Sequence, residues 1–211
     1  MKKYLFPFVL LVFLLSALPF LDNSKNRQTI TGLPWQIEIL PDGSTQVFGL
    51  RIGESRLSDA LDILGDDMEL AVIAASDETG SLEMYYGHFK AGVIFGKLIL
   101  LTKASEQNIN HWRENAIKSD YVATGRAKKY SLSVDDLTQA LDEVITGFTF
   151  IPSVNLDEKI ILTRFGEPGE RVQLDGAMHF LYPEKGLDIA LHDDAKEVLQ
   201  YVLPNDFQHY D

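Results

Sequence analysis

Leu57, Ala60, Leu61 and Leu64 recur at three- and four-residue spacing, a stripe that predicts a helix stopped by Gly65, with Ser55 placed as its N-cap. Upstream, Trp35-Gln-Ile-Glu-Ile-Leu40 and the segment 44–50 alternate about Pro41-Asp42-Gly43, which predicts a hairpin. Three strand-like runs follow the helix, at 69–76, 82–89 and 93–102, the first two joined by the turn residues Asp77-Glu78-Thr79-Gly80. Two further helices are expected. One covers 106–119 with Ile109, Trp112 and Ala116 on one side; the other opens on Ser133-Val-Asp-Asp136, a capping-box pattern, and runs through Leu137, Leu141 and Val144 to Gly147. The stretch 121–132 between them reads as a solvated strand or loop.

The last sixty residues repeat this order. Asn155 with Glu158 marks a helix start, Ile161, Leu162 and Phe165 give its apolar face, and Gly166-Glu167-Pro168 ends it. Strand-like runs follow at 177–182, 187–191 and 197–203. Leu61-Asp-Ile-Leu-Gly65 matches Leu162-Thr-Arg-Phe-Gly166 at an offset of 101, so the two regions share an architecture. Their short links imply antiparallel pairing. The fold class expected is α+β: an N-terminal membrane helix, then two helix-plus-antiparallel-meander lobes linked by two helices. The first lobe spans 33–150 and the second 151–211.

Residues 1–24 differ from all the rest. After Lys2-Lys3, the run from Tyr4 to Leu21 carries no charge and one clearly polar residue, Ser16. Eighteen residues as a helix span about 27 Å, close to the ~30 Å apolar core of a bilayer. The run exceeds a usual signal-peptide core, and Ser16-Ala-Leu-Pro-Phe-Leu21 offers no Ala-x-Ala exit. These features predict an uncleaved signal-anchor, with a periplasmic protein released by signal cleavage as the alternative. Lys2 and Lys3 favour a cytoplasmic N-terminus, which places the soluble part in the periplasm of a single-pass inner-membrane protein. The polar residues 23–31 form a tether.

Charge and composition narrow the partners. Of 211 residues, 31 are acidic and 19 basic, a net charge of −12, which argues against a nucleic-acid surface. Cysteine is absent, so disulfides, thiolate metal sites and cysteine nucleophiles are excluded. Arg126, Lys128 and Lys129 form a basic stretch in this acidic chain and read as partners of nearby carboxylates. No nucleophile elbow, zinc-protease, phosphate-loop or dinucleotide motif occurs. His88, His111, His179, His192 and His209 are scattered, so no metal or cofactor is expected. His179 is the histidine of most interest, because Asp175 and Asp188 approach it in a meander; alternation puts it opposite Met178, Phe180 and Tyr182, on the more open face, where it is expected to be solvated. His192-Asp193-Asp194 reads as a turn. Tyr85 and Tyr86 are adjacent in one strand and must face opposite ways, so one of them belongs to a contact surface on the open face.

The segment 155–207 combines Phe165-Gly-Glu-Pro168, Tyr182-Pro183, Gly186-Leu-Asp-Ile-Ala-Leu191 and Glu197-Val-Leu-Gln-Tyr-Val202. It resembles the SmpA/OmlA family, the small envelope lipoproteins of the outer-membrane β-barrel assembly machine, and the β-lactamase-inhibitor-type domains of similar plan. The resemblance implies a periplasmic binding module without catalytic residues. The chain departs from SmpA-type proteins in lacking the cysteine that is lipidated there. With Leu33-Pro-Trp-Gln-Ile-Glu-Ile-Leu-Pro-Asp-Gly43 and Asn155-Leu-Asp-Glu158 it is also similar to exported proteins of proteobacteria.

The function expected is a membrane-tethered periplasmic binding or scaffold module that contacts an envelope protein through an open sheet face or edge. Two alternatives belong to other classes: an envelope hydrolase using carboxylates with His179, and a ligand-binding sensor or inhibitor with its site between the lobes.

Overall fold

The structure, a computed structural model, describes residues 31–122 and 125–208. The predicted membrane helix lies outside the described residues, and among those described no helix is long and apolar enough to cross a membrane. From Thr31 onward the chain is one unit. It is mixed α+β, with two antiparallel sheets of three and ten strands and, among the described residues, four α-helices.

The chain enters through β1 (Glu38–Ile39), β2 (Thr45–Val47) and β3 (Leu50–Arg51), the small sheet. Phe48 and Gly49, with φ of 55° and 83°, form the two-residue turn between β2 and β3, where the strand twist calls for left-handed backbone at both positions. Phenylalanine is unusual there. Its ring explains it, lying 5.2–6.1 Å from those of Phe89, Phe148, Phe150 and Tyr201 and plugging the core beneath the large sheet.

Helix α1 (Leu57–Leu64) buries Leu57 and Ala60 and leads into β4 (Glu69–Ala75), β5 (Ser81–Ala91) and β6 (Ile94–Thr102). Its N-cap is Arg56, whose N–H donates to Asp59 (2.8 Å); the expected cap, Ser55, instead accepts from the Arg51 N–H. Helix α2 (Glu106–Glu114) stops at Asn115, short of the predicted 119. The chain there turns into β7 (Lys118–Tyr121), which forms a hairpin with β8 (Ala127–Ser131). Helix α3 (Val134–Leu141) is capped by Ser133 as expected but ends six residues before Gly147. The remainder is β9 (Ile145–Pro152), a strand the helical reading concealed. Helix α4 (Glu158–Phe165) takes Asp157 as N-cap, its carboxylate accepting from the Ile160 N–H at 2.7 Å, in place of Asn155. The second meander has four strands: β10 (Glu170–Leu174), β11 (Ala177–Tyr182), β12 (Leu187–His192) and β13 (Val198–Val202).

Strand order in the large sheet is β10-β11-β12-β13-β9-β6-β5-β4-β8-β7. Helix α1 with β4, β5, β6 and β9 therefore corresponds to α4 with β10, β11, β12 and β13, and the two last strands pair with each other, Phe148 opposite Tyr201 and Phe150 opposite Leu199. The halves meet through a backbone ladder rather than across a cleft.

The shared motif extends to detail. Gly65 (φ 94°, ψ 179°) and Gly166 (φ 87°, ψ −171°) end their helices alike, each N–H reaching back to a leucine carbonyl. The hydroxyl of Tyr86 on β5 donates to the Gly65 carbonyl, and that of Tyr182 on β11 to the Gly166 carbonyl, both at 2.9 Å. Each meander is thus bolted to its helix by one tyrosine in its second strand. Burial pushes both phenols up to about 12, with Asp66 adding to the effect at Tyr86 and Glu167 at Tyr182.

All four helices and the small sheet supply one face of the large sheet. Ile109 and Trp112 of α2, Ala140 of α3 and Ile161 and Phe165 of α4 join Val72, Met84, Leu98, Phe148 and Tyr201 in a single buried cluster. Tyr201 is fully buried and its hydroxyl donates to the Pro34 carbonyl at 2.9 Å, which fixes the segment before β1 to the middle of the sheet.

Candidate functional site

Strand alternation gives the sheet a second face, and no described helix packs on it. Tyr86 points into the core and is 3% exposed; its neighbour Tyr85 points the other way and is half-buried. The pairing registers put Tyr85 in one row that crosses eight strands: Glu69, Tyr85, Ile99, Thr149, Gln200, Asp188, Leu181 and Glu170. At one strand per ~4.8 Å the row is roughly 33 Å long. Its two ends are carboxylates; Tyr85, Ile99, Thr149 and Gln200 offer a phenol, an aliphatic side chain, a hydroxyl and an amide, while Asp188 and Leu181 further along are buried. A parallel row beside it runs Glu83, Leu101, Gly147, Val202. Burial pushes the Glu83 carboxyl up, and the Ser81 hydroxyl, donating to it at 2.9 Å, opposes that shift.

His179 lies on this face, as alternation requires, but it is not solvated. Its Nδ1 stands 2.9 Å from Asp188, and the two side chains are 13% and 8% exposed. A carboxylate so deep in a sheet needs donors, and the histidine one strand away supplies one. Asp175 sits in the β10–β11 turn with φ 50°. On the open face the cross-strand neighbours of the pair are Val172, Ala190, Leu181 and Gln200, none of them a nucleophile. The hydrolase alternative keeps its histidine and carboxylate and gains no third group from these four residues. A hollow of about 180 Å³ adjoins Asp188, bordered by Gln200, Val202, Asp206, Phe207 and Gln208, where the C-terminal stretch passes the sheet. His192-Asp193-Asp194 leads from the end of β12 into the turn before β13. Among the described residues no group of three or more His, Asp or Glu side chains is arranged to hold a metal ion.

Among the described residues the sheet has two edge strands, β7 and β10, each paired on one side. The basic stretch belongs to the first of these ends. Lys129 pairs with Glu69 at 2.6 Å, and Lys128 stands 5.1 Å over the Tyr121 ring, so both cations are engaged within the hairpin or its neighbour. The edge strands were not legible as edges, because strand order depends on pairing between distant segments.

The fold and this surface define a class: an α+β protein built on one broad antiparallel sheet, covered on one face and bare of described helices on the other. Compared with models of protein families, with curated proteins and with solved structures, the chain finds no match.

Proposed function

We propose that the part of the chain from Thr31 onward is a binding module that holds another protein of the cell envelope against the Tyr85 region of the sheet face on which no described helix packs. In this reading the apolar run at 4–21 tethers it to the cytoplasmic membrane and the module works in the periplasm. The observation that carries the proposal is the row through Tyr85: a half-buried phenol beside Ile99, continued by Thr149 and Gln200, on a hydrogen-bonded sheet surface. Aromatic and aliphatic groups supply contact area at low entropic cost, and neighbouring polar groups fix orientation. The resemblance of 155–207 to small envelope binding proteins points the same way.

The test is a photoreactive amino acid placed at Tyr85 of the full-length protein in native membranes, with the same group at Ile63 as control. Ile63 is 52% exposed on α1, which packs on the covered face. A discrete adduct with one envelope protein from Tyr85, and none from Ile63, is the expected result. Equal adducts from both positions, or none from Tyr85, would overturn the proposal.

A further inference from the structure

We infer that the β7 edge pairs with the β7 edge of a second copy of this chain, extending the ten-stranded sheet across a two-fold axis at Ser119. This is independent of the open-face reading and uses different residues. The argument begins with the backbone. The Val122 N–H donates to the Ala127 carbonyl at 3.0 Å, in register with Tyr121 opposite Lys128. Hydrogen-bonded positions alternate along an antiparallel strand, so Asp120 and Lys118 also turn their amides to β8, and so does Ile117 just before the strand, whose N–H donates to the Ser131 carbonyl at 3.0 Å. Ser119 and Tyr121 then turn theirs outward, and among the described residues β7 is the last strand on that side.

Side-chain order makes this edge complementary to itself. With Ser119 opposite Ser119, the two copies exchange a reciprocal pair of N–H···O=C bonds. Lys118 of each copy falls opposite Asp120 of the other, and Tyr121 falls opposite Ile117. Lys118 and Asp120 already lie 2.7 Å apart within one strand, so the dimer gathers two cations and two anions in an alternating quartet. Ile117 and Tyr121 are 72% and 67% exposed, among the most exposed large apolar side chains of the described residues. A lone lysine on an edge deters strand pairing. Here each lysine also meets a carboxylate of the other copy in the register that aligns Ser119 with Ser119. Lys128 and Lys129, held by Tyr121 and Glu69, are locally compensated, which reduces repulsion between the two hairpins. The contact is four residues long and far smaller than a standing dimer interface, so association is expected to be weak and dynamic.

The chain has no cysteine, which makes the test direct. Full-length protein carrying Ser119→Cys is treated in mild detergent with a short bis-maleimide, beside protein carrying Val134→Cys, a site 79% exposed on α3. Covalent dimer is expected to form at least tenfold faster from the Ser119 variant. Adding Lys118→Asp, which sets like charges opposite each other, should slow it at least tenfold. Adding Asp120→Lys as well should restore it, since the exchanged pair is complementary again. Equal rates at Ser119 and Val134, or no effect of Lys118→Asp, overturns the inference, as does failure of the double exchange to restore the rate in protein that melts normally. A different protein seated on this edge would appear as the first of these outcomes.

Discussion

The tyrosine bolts offer a test that repeats itself within one molecule. Tyr86→Phe and Tyr182→Phe keep each ring in place and remove only the hydroxyl that donates to Gly65 or Gly166. Each leaves a helix-end carbonyl short of a donor, and Tyr86→Phe also removes a longer contact of 3.4 Å to the Ala60 carbonyl, a cost of about 1–2 kcal/mol at each site. For a folded unit of this length that is about 2–4 °C of melting temperature per kcal/mol. The two sites stand on β5 and β11, five strand spacings or roughly 24 Å apart, so the double variant should lose the sum of the single losses to within about 0.5 kcal/mol. The alkaline limb supplies a second readout. Both phenols are raised from the usual value near 10 to about 12 in the folded protein, so the fold favours the protonated form. The associated stability is whole below pH 10 and is lost as pH rises from 10 towards 12. Thermal melts followed by circular dichroism from pH 7 to 11.5 should show wild-type stability falling above pH 10. Each Phe variant should fall less steeply there, with Tyr201 and Lys118, both also held above their usual values, contributing to what remains in the double variant. Singles that melt like wild type at pH 7, or a double variant with an unchanged alkaline fall, would refute the role given to these hydroxyls.

Further predictions concern the core, the open face and the meander link. Phe48→Ala relieves no left-handed backbone and empties the ring site, and should cost about 3–5 kcal/mol by urea unfolding; a neutral result would mean the ring does not hold the small sheet. Glu83→Gln keeps an acceptor for Ser81 and removes a charge that burial disfavours, so it should raise the melting temperature at neutral pH, with the gain shrinking as acid neutralises the native carboxyl. His179→Ala and Asp188→Ala should show a coupling above about 0.5 kcal/mol in a double-mutant cycle, since the pair is in contact and largely buried. Gly186→Ala should destabilise strongly, because its φ is 61° and an added Cβ would run into the Val202 carbonyl; expression of a normally melting variant would contradict that packing.

Local chemistry was legible and pairing order was not. The stripe ending at Leu64 and Gly65, its twin ending at Phe165 and Gly166, and the opposed placement of Tyr85 and Tyr86 all follow from periodicities of 3.6 and 2 within a few residues. Caps slipped by one or two positions where rival groups were available: Ser55 is drawn off by Arg51, and Asp157 outcompetes Asn155. The larger miss was β9. Val144 and Gly147 continued a helical pattern on paper, yet the helix stops at Leu141, and Phe148 and Phe150 serve as the seam between the two meanders. Nothing within ten residues of Phe148 declares that its partners are Leu100 and Tyr201; that information is held jointly by three distant strands. The same holds for the face on which no described helix packs. Tyr85 and Asp188 are far apart in the chain and enter one row only through four intervening pairings, each adding its register to the last. A one-residue slip in any of them would bring the next strand's core side chains onto the row. The surface proposed to bind a partner is therefore a property of accumulated register. Its specificity would be lost by repacking the seam at Phe148 and Phe150 before any residue of the surface itself was changed.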